Sequence, residues 1–260
     1  MFCSQCGKKN EDGYKFCCFC GANLKQNIVV TEQDLVREYE EKLQQKKLEN
    51  EKYLYVQEEI VKQLTAAQIG DVVNFGNFQG EDLLWEVLDS RENIKLLFCA
   101  KGVVFMKSID PIWEKSSARQ WLNNDFVNGS FNNFQKNLIV VSDVLSQGQN
   151  ALKLRKTEDK VFMLSEGEIV EYFGNDEQKR RCGVLNYMQE WKTRKVAKVF
   201  SQEEKMIKYC EGLDGRGNCK WWLRSHPGCC HDIVDTNGNF DNYAITYNHV
   251  AVRPAMWVRC

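Results

Sequence analysis

The sequence predicts an α+β protein in three parts: a small metal-stapled module at residues 1–25, a charged helical linker at 26–65, and a larger mixed domain with a mostly antiparallel sheet at 66–260. Three observations carry this reading. Four cysteines stand in two C-x-x-C pairs within the first twenty residues. No proline or glycine interrupts residues 31–69, which are dense in mixed charge, as a long solvated helix requires. From Ile69 onward, apolar runs of strand length alternate with Gly, Asn and Asp.

Composition bounds what the chain does. An apolar fraction of 43% provides for a packed core. A net charge of −1 gives no global attraction to nucleic acid or anionic membrane. The longest apolar runs, such as Leu138-Ile139-Val140-Val141 and Val103-Val104-Phe105-Met106, are too short to span a bilayer. The opening Met1-Phe2-Cys3-Ser4-Gln5-Cys6 has no basic region followed by an apolar stretch, so it does not read as a signal peptide. Of twelve cysteines, eight fall outside the two pairs and follow no regular framework. Reduced thiols and a cytoplasmic location are expected.

The two pairs are Cys3-x-x-Cys6 and Cys17-x-x-Cys20, ten residues apart. A C-x-x-C turn puts two thiolates on one side of the backbone, and two such turns complete a tetrahedral S4 shell for Zn²⁺. Gly7 and Gly21 follow the second cysteine of each pair, where a positive φ lets amides approach the sulfurs. Cys18 stands only two residues from Cys20 and is not expected to ligate. Two dozen residues build no adequate core alone, so one structural zinc is the expected cofactor. Four protein sulfurs leave no open position for catalysis.

In residues 31–64, Thr31 and Asp34 form a weak capping box, and Leu35, Tyr39 and Leu43 recur at helical spacing. The stripe then drifts through Leu48, Tyr53, Leu54 and Val56, too irregular for strict heptads. A solvated helix is expected, with a modest coiled coil as the alternative.

Strands are expected at Val72-Val73-Asn74-Phe75, Leu84-Trp85-Glu86-Val87-Leu88, Ile94-Lys95-Leu96-Leu97-Phe98 and Val103-Val104-Phe105, forming an antiparallel meander. A capping box at Ser117-Ala118-Arg119-Gln120 opens a helix whose apolar face is Ala118, Trp121, Leu122 and Phe126. Phe131, Phe134 and Leu138 mark a second short helix. A strand at Lys160-Val161-Phe162-Met163-Leu164 leads into the capping box Ser165-Glu166-Gly167-Glu168 and a third helix. Two apolar runs, Trp221-Trp222-Leu223-Arg224-Ser225 and Val252-Arg253-Pro254-Ala255-Met256-Trp257-Val258, are expected to close the sheet. Each carries one arginine, and a buried arginine must be paired and hydrogen-bonded. Arg224 and Arg253 are therefore expected to be structural, with Asp232 or Asp235 as candidate partners.

Two resemblances follow. Residues 1–24 resemble the short bacterial zinc ribbons, with Cys3, Cys6, Cys17 and Cys20 on the ligand positions and Cys18 where proline is usual. The ordered series Ile69-Gly70-Asp71-Val72-Val73-Asn74-Phe75-Gly76, Trp85-Glu86-Val87-Leu88, residues 113–126, Val161-Phe162-Met163-Leu164-Ser165 and the two closing runs resembles a bacterial domain family of unknown function, DUF6273, over residues 69–258. In organisation that family looks similar to C-type-lectin-like folds, including the formylglycine-generating branch. The chain departs from the family pattern at a polar insert near residues 201–218 and at His226-Pro227-Gly228-Cys229-Cys230-His231.

The last segment offers a second metal site through His226, Cys229, Cys230 and His231, whose ligand types suit zinc or copper. Adjacent Cys229 and Cys230 rarely serve one tetrahedral ion. Asp235-Thr236-Asn237-Gly238-Asn239 resembles the start of a calcium loop, yet Asn237-Gly238 between two apolar runs reads more simply as a hairpin turn. A basic stretch, Lys179-Arg180-Arg181 and Lys192-Thr193-Arg194-Lys195, has Tyr187 and Trp191 interleaved and is balanced by Glu177, Glu190, Glu203 and Glu204.

The expected function is non-catalytic recognition, with a protein or small-ligand partner bound through the loops at residues 226–248. One alternative is a copper- or zinc-dependent oxidase-like enzyme using the Cys/His cluster. The other is a nucleic-acid-binding factor using the ribbon and residues 179–198.

Overall fold

The computed structural model describes residues 1–11, 13–24, 32–106, 110, 112–147, 154–188, 213–225, 230–244 and 250–260. They form two compact units, Met1–Tyr55 and Val56–Cys260, and the architecture is α+β. The division falls inside α1 (Glu32–Ala66). Thr31 lies outside the described residues, so its expected cap is not part of this description.

Through Tyr55, α1 leaves Leu35, Tyr39, Leu43, Leu48 and Leu54 exposed, in keeping with its lack of a continuous apolar seam. Its last turns differ. Ile60 packs on the core of the second unit, and Leu64 is only 1% exposed. Lys95 Nζ then donates to the Ala67 carbonyl at 2.8 Å, satisfying a chain end just past the helix.

The second unit opens with the expected meander, β1 (Val72–Phe78), β2 (Glu81–Arg91) and β3 (Ile94–Cys99). Alternating burial along β1 and β2 sends Val73, Phe75, Leu83, Trp85 and Val87 into the core. The β1–β2 register shifts between Asn74 and Asn77, where Gly76 has φ +86°. A Cβ at Gly76 would stand 2.5 Å from the Phe131 ring and 2.8 Å from the Ser130 carbonyl, so only glycine fits.

Short β4 (Lys101–Gly102) and β5 (Val104–Phe105) follow. Next comes a helical run of α2 (Ser117–Trp121), a wider turn at Leu122–Phe126 and α3 (Val127–Ser130). Its cap is Ser116, whose side chain accepts from the Ala118 amide, and not Ser117 as the sequence pattern suggests. The segment α4 (Asn133–Leu138) has a capping box of Asn132 and Gln135 that the sequence reading misses.

Then come β6 (Ile139–Val140) and the hairpin of β7 (Ser142–Gln147) and β8 (Leu154–Asp159). Residues 160–164, expected as a strand, instead run irregularly, with one bridge between Phe162 and Ala255. Just before them, buried Asp159 accepts from Trp113 Nε1 at 2.9 Å, Arg119 Nε at 2.7 Å and Thr157 Oγ1 at 2.6 Å. Asn123 Oδ1 accepts from the Lys160 amide at 2.8 Å, replacing a ladder bond.

The expected box of Ser165 and Glu168 caps α5 (Glu166–Phe173), and Asp176 caps α6 (Glu177–Arg180). The remaining strands are β9 (Gly183–Val184), β10 (Trp221–Trp222), β11 (Cys230–Val234), β12 (Phe240–Ala244), β13 (Ala251–Val252) and β14 (Ala255–Arg259).

These strands build two five-stranded sheets, in the orders β1-β2-β3-β14-β6 and β12-β11-β10-β13-β5. Within these two sheets all pairings are antiparallel except β10 with β13, and β4 with β9 forms a separate parallel pair. The two closing runs thus share a sheet only through Val252, at the end of β13 beside β10. The run from Trp221 lies in the second, while the run from Val252 leaves the second sheet, passes Arg253 and Pro254, and enters the first as β14.

Trp85, Trp113, Trp221 and Trp222 are fully enclosed, and every indole N–H has an acceptor: the carbonyls of Phe75, Arg180 and Met106, and the Asp159 carboxylate. Each ring adds large apolar burial without leaving a donor orphaned. No described helix is long and apolar enough to cross a membrane.

Candidate metal centre

The N-terminal module repeats one turn twice, fourteen residues apart. In the first copy, Phe2 bridges Lys9, the Cys3 amide donates to the Lys8 carbonyl at 2.9 Å and the Gly7 amide donates to the Cys3 carbonyl at 2.9 Å. In the second, Phe16 bridges Asn23, the Cys17 amide donates to the Ala22 carbonyl at 2.7 Å and the Gly21 amide donates to the Cys17 carbonyl at 2.9 Å. Gly7 and Gly21 take φ values of +68° and +72°, which a side chain would strain.

The repeat delivers four sulfurs to one point. Sγ of Cys3, Cys6, Cys17 and Cys20 all lie within 4.8 Å of one another, with Cys3–Cys20 and Cys6–Cys17 at 3.6 Å. A disulfide needs about 2.05 Å, and all four are free thiols. Cys3 and Cys17 are buried and Cys20 is at the surface.

Asn10, which the sequence reading passed over, organises the shell. It is buried, and its Nδ2 donates to Cys17 Sγ at 3.4 Å while its Oδ1 accepts from the Cys18 amide at 2.9 Å and the Cys18 thiol at 3.1 Å. Cys18 is thus held by Asn10 and stands outside the four-sulfur group. A small amide midway between two C-x-x-C pairs was the available signal.

Electrostatics favour a cation here. The amides of Cys6 and Gln5 lower the pKa of Cys3. Burial opposes charge on Cys17, but the Phe19 amide and the Asn10 side chain outweigh it and bring this thiol down to about 6. The Ala22 amide favours a Cys20 thiolate, yet Cys6, burial, Cys3 and Cys17 together push it up to about 12. Four thiolates cannot be crowded this closely unless a metal ion offsets their repulsion, and these four cysteines can hold one.

His226 and Cys229 lie outside the described residues, and Cys230 and His231 fall on the backbone of β11. Arg224 and Arg253 are each 3% exposed. Arg224 pairs with Glu168 rather than with Asp232 or Asp235. Arg253 donates from Nε to the Cys99 carbonyl at 2.8 Å and lies over the rings of Phe98 and Trp221, and no carboxylate pairs with it among the described residues.

The turn after Val234 is a hairpin. Asp235 and Asn239 close it through an N–H to O bond of 2.8 Å, and Gly238 has φ +93°. Arg180 and Arg181 donate to the carbonyls of Gly238 and Asn237, so they fix this turn. Of the basic stretch, residues 192–195 lie outside the described residues.

Fold and site together define an α+β protein with a four-cysteine centre of metal-binding type. Residues 88–260 match the family described as Domain of unknown function (DUF6273), and the chain belongs to that family. The match begins within β2, whereas the sheet it enters begins at Val72. No curated protein and no solved structure matches the chain.

Proposed function

We propose that this is a zinc-binding recognition protein without catalytic activity, organised as a zinc ribbon at residues 1–25, a helical linker at 26–65 and a partner-binding domain at 66–260. The observation that carries the reading is the sulfur geometry. A Zn²⁺ with four bonds of about 2.3 Å to sulfur has sulfur–sulfur edges of about 3.8 Å, and two of the edges here are 3.6 Å. Such a shell is closed, so the metal holds the fold of the ribbon and activates no water.

The outer surface of the ribbon supports a docking role. Phe2, Tyr14, Phe16 and Phe19 are all exposed, around a core of little more than Cys3, Cys17 and Leu24. Aromatics left outside so small a module are the residue type that anchors protein partners. Free thiols throughout the described cysteines suit a cytoplasmic setting. The mostly antiparallel sheets, with the C-terminal strand inside the first, support a lectin-like reading of the large domain.

The test is metal analysis of the purified chain and of Cys3→Ser. One zinc per chain, lost in the variant while the second unit keeps its melting transition, is the expected result. A second ion lost on changing His226 or Cys229 would replace this reading with the oxidase-like one.

A further inference from the structure

Cys182 and Cys219 stand outside the one group of metal-ligating side chains among the described residues, and both are buried. The Cys219 amide donates to the Cys182 carbonyl at 2.7 Å. That bond sets the two residues side by side, as the roughly 4.4–6.8 Å Cα spacing of a disulfide requires. The thiols converge on one carbonyl, with Gly183 O at 3.1 Å from Cys182 Sγ and 3.7 Å from Cys219 Sγ. Gly102 closes the opposite side, since a Cβ there would stand 3.3 Å from Cys219 Sγ and 2.7 Å from the Ala251 Cβ.

Arg253 supplies an independent observation. Its Nη1 is buried and has no hydrogen-bond partner among the described residues. A guanidinium keeps its proton, so once buried it calls for a counter-charge. Its Nε reaches the Cys99 carbonyl, and Cys182 Sγ lies 3.9 Å from the next carbonyl, that of Ala100. The thiols of Cys99, Cys182 and Cys219 all feel its charge. Burial pushes Cys99 up to about 12 and Cys219 well up. Burial also opposes charge on Cys182, but the hydrogen bond from Cys219 and the charge of Arg253 outweigh it and bring that thiol down to about 7.

We propose that Cys182 and Cys219 form a thiol–disulfide site for hydroperoxides, with Cys182 as the attacking thiolate, Cys219 as the resolving thiol and Arg253 as the counter-ion of the reduced form. The Cys182 thiolate attacks one peroxide oxygen. The O–O bond breaks, hydroxide leaves and Cys182 becomes a sulfenic acid. Cys219 gives its proton to that hydroxide, forming water, and its sulfur attacks Cys182. The S–S bond forms, the S–O bond breaks and a second hydroxide leaves. Two sulfurs lose two electrons and the peroxide gains them. Oxidation also removes the thiolate and leaves Arg253 without its counter-charge.

Access runs through a short turn. Leu213 bridges Cys219, and Gly217 O lies 3.8 Å from where a Cβ of Gly183 would stand. Gly215 and Arg216 on this turn are exposed, so local opening of one turn admits a small oxidant.

The test uses the full chain with metal as purified. It is treated with hydrogen peroxide, alkylated, digested without reduction and mapped by mass spectrometry. The expected product is a peptide pair linked through Cys182 and Cys219, absent from Cys182→Ser and Cys219→Ser. At neutral pH the reduced parent should also exceed Cys182→Ser in ultraviolet thiolate absorbance by about half an equivalent, as a thiol held near 7 requires; metal-bound thiolates cancel in the difference. A treated parent in which both cysteines still alkylate after denaturation overturns the proposal. So does Cys182 carried to sulfinic acid without a link. Mapping of the parent needs no variant, so a misfolded substitution leaves the decision intact.

Discussion

Arg224 reaches both carboxylate oxygens of Glu168 at 3.0 Å, and the same carboxylate accepts from the Ser165 amide at 2.7 Å and the Ser165 hydroxyl at 2.9 Å. One side chain therefore closes the N-terminus of α5 and neutralises the cation beyond β10. Arg224 also donates to the carbonyls of Leu145 and Met163. Removing it strands a carboxylate and two carbonyls.

Arg224→Ala should cost about 3 kcal/mol, the low end for breaking one side of a buried pair, because the Glu168 side chain is 31% exposed. Thermal melts should show a fall of about 10 °C or more, or insoluble protein. Glu168→Gln keeps an acceptor for Ser165 and should lose less. Equal losses in the two variants would mean that charge pairing, not the number of satisfied groups, sets the cost.

Arg253 acts at a different place, where the chain crosses from β13 in one sheet to β14 in the other. Its guanidinium carbon lies 3.9 Å from the centre of Phe98 on β3 and 5.0 Å from that of Trp221 on β10. It thus joins a ring from each sheet, and planar stacking needs arginine. Arg253→Ala should cost about 3 kcal/mol or more by opening a cavity between the sheets, and Arg253→Lys should also destabilise. A denaturant midpoint equal to that of the parent in Arg253→Ala would show that the crossing holds without it.

These two arginines show what was legible. Their burial follows from apolar runs that have no polar face, so the sequence is enough. Their partners do not follow, because Glu168 and Phe98 are 56 and 155 residues away and only the folded chain brings them near. The meander of β1–β3 was readable from alternation, and the α5 cap from Ser165 and Glu168. The strand expected at residues 160–164 was not formed, because the Asn123 side chain bonds the Lys160 amide and the Val161 carbonyl, which local pattern cannot reveal. The cysteine pairs were readable because ligand spacing is local; Asn10 was not, since one amide carries no periodic signal.

In the N-terminal module, Cys18→Ser should retain the metal, because this thiol bonds Asn10 and stands outside the four-sulfur group. Asn10→Ala should keep the stoichiometry but weaken affinity about 10- to 100-fold, the range for a group that orients a ligand. Competition with a chromophoric chelator measures both. Full retention of affinity in Asn10→Ala would remove it from the site.

Limited trypsin digestion probes α1. Cleavage requires local unfolding of the helix, which exposed turns allow and packed ones resist. Lys42, Lys46, Lys47 and Lys52 lie in exposed turns, whereas Lys62 lies between Ile60 and Leu64, both packed on the core. The resistant fragment should begin near Tyr53. A fragment beginning at Gln63 would show that these last turns detach readily.

The turn over Cys182 and Cys219 depends on Asp214. Its Oδ1 accepts from the amides of Arg216 and Asn218 at 2.8 Å each, and its Oδ2 accepts from the Asn218 side chain at 2.8 Å. Burial opposes this charge, but the side chain and amide of Asn218 and the amide of Arg216 outweigh it, so the carboxyl is held below its ordinary range. A lowered folded-state pKa stabilises the turn at pH values above the ordinary carboxylate range. That contribution is lost as the pH falls through the depressed value. Asp214→Ala should mimic the acid state at neutral pH: amide exchange at Arg216 and Asn218 should quicken roughly tenfold, with little change in the global melt. If this turn is the route to the buried thiols, the Cys182–Cys219 link should form faster in Asp214→Ala at equal peroxide. Faster exchange without faster linkage would place the oxidant's path elsewhere.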